Sequence, residues 1–302
     1  MAEFKHGIKN GKFMDALERL AARKSWWRDV LRDRDLIVAV RNEYLNVYWQ
    51  GQSIFLARFS GGEVVASTHP KYLLNPDLSG QISLQGEHFD LKKQEPKMLM
   101  RKYEPGVTLA NMKRAARLFS GEEKEGVQVI ATSNPSVVDV EIAFSANGLA
   151  GVGSIPRLDI AAFETADDGV DLVFWEAKLL GNPKARPKVL VDQIGKYQKI
   201  IAASKPQILE SYRCVAGNLV RFAEMSEGTR KVSRDIQRVA DNKAKLSVSE
   251  ADVGVIVYGF GEDERDGVGK AMKKQLETTL DELKIGKHRL RFKGKPKGLR
   301  LN

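Results

Sequence analysis

The sequence predicts an α/β protein in which a mixed sheet covered by helices follows a smaller unit of helix and antiparallel sheet. Two patterns predict this class. After residue 105, strand-like runs alternate with helical patterns, as expected of strands covered by helices. Before residue 105, one helical pattern precedes four short β-rich runs. A chain of 302 residues is long enough for two such units.

The first unit, residues 1–105, opens with an amphipathic pattern. Apolar residues recur at spacings of three, four and seven over residues 12–34, which predicts one helix. The runs LIVAVR, EYLNVYW, SIFLARF and EVVAS are separated by turn residues such as Gln50-Gly51 and predict an antiparallel meander. Residues 70–105 are rich in Pro, Gly, Asn and Asp and are expected to be irregular. We expect this unit to select the substrate or a partner, or to form a homo-oligomer.

The second unit, residues 106–302, interleaves helical and strand-like patterns, which together predict a mixed sheet. The predicted helices lie at 108–119, 189–203, 206–225 and 268–283. The predicted strands lie at 127–131, 137–144, 158–163, 170–177, 252–260 and 288–292.

The charge of the chain suits either a polyanion as partner or solubility alone. The formal net charge is +10, and residues 287–300 hold seven Lys or Arg and no acid. That segment either lies along phosphates, or is a solvated tail or an edge strand protected by its lysines. No apolar run approaches the roughly 20 residues of a transmembrane helix. The lone Cys214 and the absence of an apolar signal core predict a cytoplasmic protein without a membrane partner.

The segment RLDIAAFETADDGVDLVFWEAKLL, residues 157–180, concentrates the chemistry. Asp167-Asp168-Gly169 is a hairpin signal between apolar strands, so Asp159 and Glu176 are expected on neighbouring antiparallel strands. Side chains alternate along a strand, which places Glu176 and Lys178 on the same face. Two adjacent carboxylates favour a divalent cation, and oxygen ligands suit Mg²⁺ or Mn²⁺. Lys178 would orient or deprotonate the attacking water and offset negative charge in the transition state.

Position distinguishes this acid-x-Lys tripeptide from its other occurrences. An acid followed two residues later by Lys occurs seven times in the chain. Only the copy at Glu176 and Lys178 ends an apolar strand and has an acid, Asp159, on the preceding hairpin arm. The hairpin context therefore carries the prediction of a site.

The hairpin with these residues resembles the PD-(D/E)XK, or restriction-endonuclease-like, nuclease superfamily, whose signature is an acid followed by acid-x-Lys on the next strand. The resemblance covers roughly residues 107–260. It implies an αβββαβ core with a mixed sheet, which binds one or two Mg²⁺ ions and hydrolyses phosphodiesters. The literal Pro-Asp pair is absent, because Leu158, and not a proline, directly precedes Asp159 and separates it from Arg157.

Further residues extend the resemblance. An acid one element upstream often completes such sites. Glu141 is the expected third metal ligand. Asp139 lies on the same predicted strand face and is the second choice. Gln193 and Tyr197 match the Gln-x-x-x-Tyr element of the RecB-like branch, which implies contacts to the substrate. Arg157, two residues before Asp159, is also expected to contact the substrate.

These patterns predict a metal-dependent nuclease that hydrolyses the phosphodiester bonds of DNA with Mg²⁺ or Mn²⁺. Asp159, Glu176, Lys178 and Glu141 are the expected catalytic residues, and the three acids are the expected metal ligands. Two alternatives stay open. The chain is either a catalytically silent nucleic-acid-binding or scaffold protein that retains the fold, or a ribonuclease, since such a centre does not itself read the 2′-hydroxyl.

Overall fold

The computed structural model describes residues 4–75, 78, 81–85, 87–144 and 157–301. Its helices are α1 Gly11–Ala21, α2 Trp26–Arg32, α3 Glu95–Met98, α4 Thr108–Arg117, α5 Glu122–Ser133, α6 Pro187–Met225, α7 Arg234–Ala240, α8 Glu262–Glu264 and α9 Lys270–Glu282. Its strands are β1 Ile37–Arg41, β2 Tyr44–Trp49, β3 Gln52–Ser60, β4 Glu63–Ser67, β5 Leu84–Gln85, β6 His88–Phe89, β7 Val137–Ile142, β8 Leu158–Ala166, β9 Gly169–Leu179, β10 Leu246–Ser247, β11 Val253–Tyr258 and β12 Leu290–Phe292.

The predicted meander is confirmed, because β1, β2, β3 and β4 pair antiparallel in chain order. The β2–β3 turn uses Gln50 and Gly51, both with positive φ, as a tight hairpin turn requires. The single helix expected at 12–34 is wrong. Two helices form there, because the Ser25 side chain accepts a hydrogen bond from the Arg28 amide and starts α2 as a new helix.

A second, larger sheet has the strand order β12-β11-β9-β8-β7, with β10 beside β9. The strands β7, β8 and β9 are antiparallel neighbours, whereas β11 runs parallel to β9 and β12 parallel to β11. The predicted mixed sheet is therefore confirmed. Central strand β9 is buried on both faces from Leu172 to Lys178, which explains its nearly continuous apolar sequence.

Helices cover both faces of this sheet. Val127 and Ile130 of α5 pack with Trp175 on one face. Leu190 and Ile194 belong to α6 and lie in the core cluster of the other face. Because this sheet lies between α5 and α6, both helices can contact the charged residues at the start of β8 and near the end of β9. In the described part of the chain, no helix is long and apolar enough to cross a membrane.

The strand expected at 127–131 is wrong, because these residues lie inside α5. Val127, Ile130 and Ala131 recur at helical spacing and share one buried face. Glu122 and Glu123 occupy the first turn, where the helix dipole favours negative charge. A run of apolar residues this short suits a strand or a buried helix face equally well.

The two helices expected at 189–203 and 206–225 form one helix, α6, with Pro206 inside it. An interior proline removes one hydrogen bond and costs about 3 kcal/mol. Burial of residues on both sides of it offsets that cost, since Ile201, Ile208 and Tyr212 are almost fully buried.

The first and second units share contacts. The large apolar cluster contains residues of α1, α2 and β1 together with residues of α6 and β8. The boundary near residue 105 and the roles expected for residues 1–105 stay predictions.

Gly126 allows α5 to approach β11, and we expect its replacement by alanine to destabilise the protein. A Cβ on Gly126 would lie 2.1 Å from Tyr258 Cε2, and overpacking of this kind typically costs about 1–3 kcal/mol. Urea unfolding measures the change. Gly217→Ala is the matched control, because its Cβ would meet nothing within 4 Å in α6 and alanine is the better helix former by roughly 1 kcal/mol. Equal effects of the two substitutions would contradict the expected clash.

Candidate active site

The hairpin β8–β9 brings Asp159 to Glu176 and Lys178. The predicted turn is present, since Ala166 pairs with Gly169 across it. Asp159 follows Leu158 at the start of β8, and Glu176 and Lys178 lie near the end of β9. All three side chains are buried, with at most 6% of each residue exposed.

The hairpin residues contact one another directly. Lys178 Nζ donates to Glu176 Oε1 and to the Ala177 carbonyl oxygen, and it lies 3.9 Å from Asp159 Oδ2. The Ala177 amide donates to the same Asp159 oxygen over 2.9 Å. Glu176 and Lys178 therefore share a face, as predicted, and the backbone of β9 orients Asp159 toward them.

Burial and charge shift the protonation of this group. Burial, and then the adjacent Asp159 carboxylate, raise the pKa of Glu176 to about 7. Burial alone would lower the pKa of Lys178, but Glu176 and Asp159 outweigh it and raise that pKa above its usual value. At neutral pH, Lys178 is thus an ammonium group, while Glu176 can either hold or release a proton.

Gln193 and Tyr197 lie on α6 and contact Glu176 from the other side. The Tyr197 hydroxyl donates to Glu176 Oε2 over 3.2 Å, and Gln193 Nε2 donates to the Tyr197 hydroxyl over 2.7 Å. Both side chains are buried, and in this structure they orient Glu176. Their predicted contact with the substrate stays a prediction.

Glu141 joins the site through Lys124, a residue of α5. Lys124 Nζ lies 2.6 Å from Glu141 Oε1 and 2.9 Å from Asp159 Oδ1. The ammonium group of Lys124 therefore bridges Glu141, the predicted third metal ligand, and Asp159 of the hairpin. The two carboxylates outweigh the effect of burial and raise the pKa of Lys124.

Glu123 is a fourth carboxylate beside the site. Its Oε2 accepts from Asn182 Nδ2 over 2.5 Å, and its Oε1 lies 4.0 Å from Lys178 Nζ. The Tyr258 hydroxyl donates to the carbonyl oxygen of Glu123 and ties this turn of α5 to β11. Glu123 and Lys124 were not predicted as site residues, because the residues after them were expected to form a strand and not a helix. The acid-rich start Glu122-Glu123-Lys124-Glu125, followed by apolar residues at helical spacing, was the available signal.

Asp139, the second choice for the third metal ligand, does not join the site. Its carboxylate accepts from Arg41 Nη1 over 2.6 Å and from the Tyr212 hydroxyl over 3.2 Å, and it lies 3.0 Å from His6 Nδ1. The predicted common strand face of Asp139 and Glu141 is wrong. A register shift in the β7–β8 pairing next to Asp139 and a positive φ at Glu141 break the alternation.

Arg157 is exposed and lies at a cleft of about 170 Å³. Glu141 also lines this cleft, so Arg157 lies on the approach to the buried acids. The exposed Lys5 and the buried Arg41, which pairs with Asp139, add positive charge to the same cleft. A contact between Arg157 and a substrate stays a prediction.

The basic C-terminal run is largely part of the fold. Arg289 is buried and pairs with Glu164 and Asp252 at 2.5 and 2.8 Å, and the Arg291 guanidinium lies 4.9 Å from the centroid of the Trp175 ring system. Since β12 is at the end of its sheet, the interpretation as an edge strand is confirmed for residues 290–292. Exposed basic residues of this run include Lys295, Lys297 and Arg300.

The donor set suits a hard divalent cation in its chemistry. Glu141, Asp159 and Glu176 provide carboxylate oxygens, the ligands that Mg²⁺ and Mn²⁺ prefer. Within the described ranges, no three His, Cys, Asp or Glu side chains are arranged to hold a metal ion. The ammonium groups of Lys124 and Lys178 lie against these carboxylates instead. In this structure the carboxylates of the hairpin and of Glu141 therefore face lysine side chains.

The chain was compared with family models, with curated proteins and with solved structures. None of them matches it.

Proposed function

We propose that this protein is a metal-dependent nuclease that hydrolyses phosphodiester bonds of DNA. The observation that carries the proposal is the buried contact of Lys178 with Glu176, beside Asp159, at the end of a central strand. Burial of such charges is costly unless they are paired. A cluster of perturbed charged groups at the end of a strand is typical of a functional site.

The order of elements around the cluster supports the same proposal. A helix, three antiparallel strands, a second helix and a strand parallel to the third occur in the order α5, β7, β8, β9, α6 and β11, with the short α7 and β10 between α6 and β11. The resemblance to the PD-(D/E)XK superfamily implies this αβββαβ order. Glu141, Asp159 and Glu176 are the residues that would hold Mg²⁺ or Mn²⁺. When bound, such an ion polarises a phosphoryl oxygen and lowers the pKa of its water.

The protein side chains have distinct tasks in this proposal. Lys178 carries an ammonium group, because its pKa is raised, so it donates hydrogen bonds and offsets charge on the phosphoryl group. Lys178 also holds one oxygen of Glu176, the carboxylate that would bind the metal ion. Tyr197 holds the second Glu176 oxygen by a hydrogen bond and so restricts its orientation.

The charge distribution supports a nucleic acid as substrate. The net charge is +10, and the cleft next to Glu141 carries Arg157 and Lys5. Basic side chains around a cleft attract the phosphates of DNA or RNA. DNA is the proposed substrate, and RNA is tested as the alternative substrate.

The proposal predicts Mg²⁺- or Mn²⁺-dependent cleavage that requires Asp159. Purified protein is incubated with linear DNA, circular DNA or RNA and with either metal, and products are resolved on gels. Asp159→Ala is expected to lower the cleavage rate by at least about 10²-fold, because it removes a metal ligand. Asp192→Ala is the matched control, since Asp192 is exposed and pairs with Lys196 at the surface of α6.

Two outcomes would contradict the proposal. One is equal cleavage by wild type and Asp159→Ala, and the other is no cleavage of any substrate with either metal. Cleavage of circular DNA identifies an endonuclease, whereas cleavage restricted to linear DNA identifies an exonuclease. Cleavage of RNA but not of DNA identifies the protein as a ribonuclease.

A silent nucleic-acid-binding protein is the second candidate function. It is favoured by the position of Lys124 and Lys178, whose ammonium groups already neutralise the acids. This candidate expects DNA binding without metal and without cleavage. Its affinity would fall with salt with a log–log slope of about −0.9 for each phosphate contacted.

A further inference from the structure

Lys124 occupies the space between two carboxylates of the candidate metal site. Its Nζ lies 2.6 Å from Glu141 Oε1 and 2.9 Å from Asp159 Oδ1, so these two oxygens face the same ammonium group. Glu141 and Asp159 are both buried. Two buried carboxylates this close repel each other unless a cation lies between them. Lys124 supplies that cation.

Lys124 reaches this position from outside the sheet, at the solvent side of the site. About a third of its side chain is exposed, 34%, compared with 10% for Glu141 and 3% for Asp159. It is therefore the member of the three that can move into solvent without disturbing the core. The other two are held by the packing of β7 and β8.

The β2–β3 turn forms a wall along the aliphatic part of Lys124. A Cβ built on Gly51 would lie 2.8 Å from both Cβ and Cγ of Lys124. The Gln50 amide donates to Gln128 Oε1 over 3.1 Å and holds the turn against α5. Gly51 thus leaves the space that the Lys124 side chain needs in order to point toward Glu141 and Asp159.

We infer that Lys124 is a resident counter-ion, and that it must leave Glu141 and Asp159 before a divalent cation binds to them. The inference rests on the proposed function in one respect, namely that these acids are metal ligands. Mg²⁺ approaches its oxygen ligands to about 2.0–2.1 Å. The ammonium group of Lys124 occupies the position between Glu141 Oε1 and Asp159 Oδ1 from which one ion would bind both oxygens, and two cations at this distance repel each other.

Competition of this kind is measured by the affinity for metal, independently of cleavage. Mn²⁺ is titrated into the metal-free, full-length protein, with free Mn²⁺ followed by its electron paramagnetic resonance signal and the heat of binding by calorimetry. Lys124→Gln and Lys124→Ala are expected to bind Mn²⁺ about tenfold more tightly than wild type, or more, which corresponds to at least about 1.4 kcal/mol. Lys124→Arg keeps the positive charge and is expected to bind like wild type.

Three controls locate the effect and test folding. Lys113→Gln removes another half-buried lysine that bridges two acids, Asp33 and Asp35, and is expected to leave the Mn²⁺ affinity unchanged. The double variant Lys124→Gln/Asp159→Asn is expected to lose the gain. Circular dichroism and thermal melting of each metal-free variant show that it is folded, and Lys124→Gln keeps most of the packing against Gly51 if Lys124→Ala does not fold.

The outcomes separate this inference from the proposed function. Equal Mn²⁺ affinity of wild type and folded Lys124→Gln would overturn the inference and leave the metal site in place. A gain that persists in the double variant would also overturn it, because the ion would then bind elsewhere. If no variant binds Mn²⁺, the metal centre of the proposed nuclease is itself wrong, and the inference is overturned with it.

Discussion

Replacing Lys178 by methionine is expected to lower the rate of metal-dependent DNA cleavage by about 10²- to 10⁴-fold, the usual contribution of such a group. Methionine keeps an unbranched apolar side chain but removes the ammonium group that contacts Glu176 and faces Asp159. The phosphoryl group would then lack that donor and its positive charge. Single-turnover cleavage of the preferred substrate at saturating Mg²⁺ measures the effect on the chemical step.

The control for Lys178 is a lysine with an acidic partner outside the site. Lys196→Met breaks a pair with the exposed Asp192 on α6 and is expected to leave the cleavage rate unchanged. Thermal melting of both variants shows whether the loss reflects unfolding, since Glu176 loses a buried partner in Lys178→Met. A folded Lys178→Met that cleaves at the wild-type rate would refute the role assigned to Lys178.

Replacing Asp139 by alanine is expected to lower the free energy of unfolding by about 3–5 kcal/mol, the usual effect of removing one member of a buried ion pair. Asp139 is fully buried among His6, Arg41 and Tyr212. Its loss leaves the Arg41 guanidinium buried without its carboxylate and separates three segments that meet there. Urea unfolding at pH 7 measures the change, and Asp241→Ala, at an exposed acid paired with Lys243, is expected to leave the midpoint unchanged.

The contribution of Asp139 should also depend on pH. Burial alone would raise the pKa of Asp139, but Arg41 and His6 outweigh it and lower that pKa below its usual value. The unfolded pKa of an aspartate is about 3.9, so the stabilisation is present above that pH. It is lost as the pH falls from about 4 through the lower pKa of the folded state. Between pH 5 and 2, Asp139→Ala should therefore lose less stability than wild type, and a parallel decline would contradict this explanation.

Local patterns were sufficient to predict the hairpin at the centre of the site. The turn at Asp167-Asp168-Gly169 and the strand alternation predicted that Asp159, Glu176 and Lys178 would meet, and the structure brings them together. The reason is that a short hairpin has few registers, and its turn determines which residues are opposite each other. The same reasoning predicted the meander of β1–β4.

Patterns within one segment could not predict contacts between distant segments. Lys124 reaches Asp159 only because α5 packs on the sheet formed by β7, β8 and β9, and a run such as 127–131 does not reveal whether it is helix or strand. Asp139 is excluded from the site by Arg41, almost 100 residues earlier in the chain. Nothing near Asp139 in the sequence indicates that partner.

The sequence by itself determined the fold class, the hairpin and the three charged residues on it, because strand period, turn residues and apolar runs are properties of neighbouring residues. Only the tertiary structure decided which other charges join that hairpin. Packing brought Lys124 between Glu141 and Asp159, placed Tyr197 on Glu176 and moved Asp139 into a separate buried cluster. Buried charges require partners, and the approach of distant elements determines which partners are within reach.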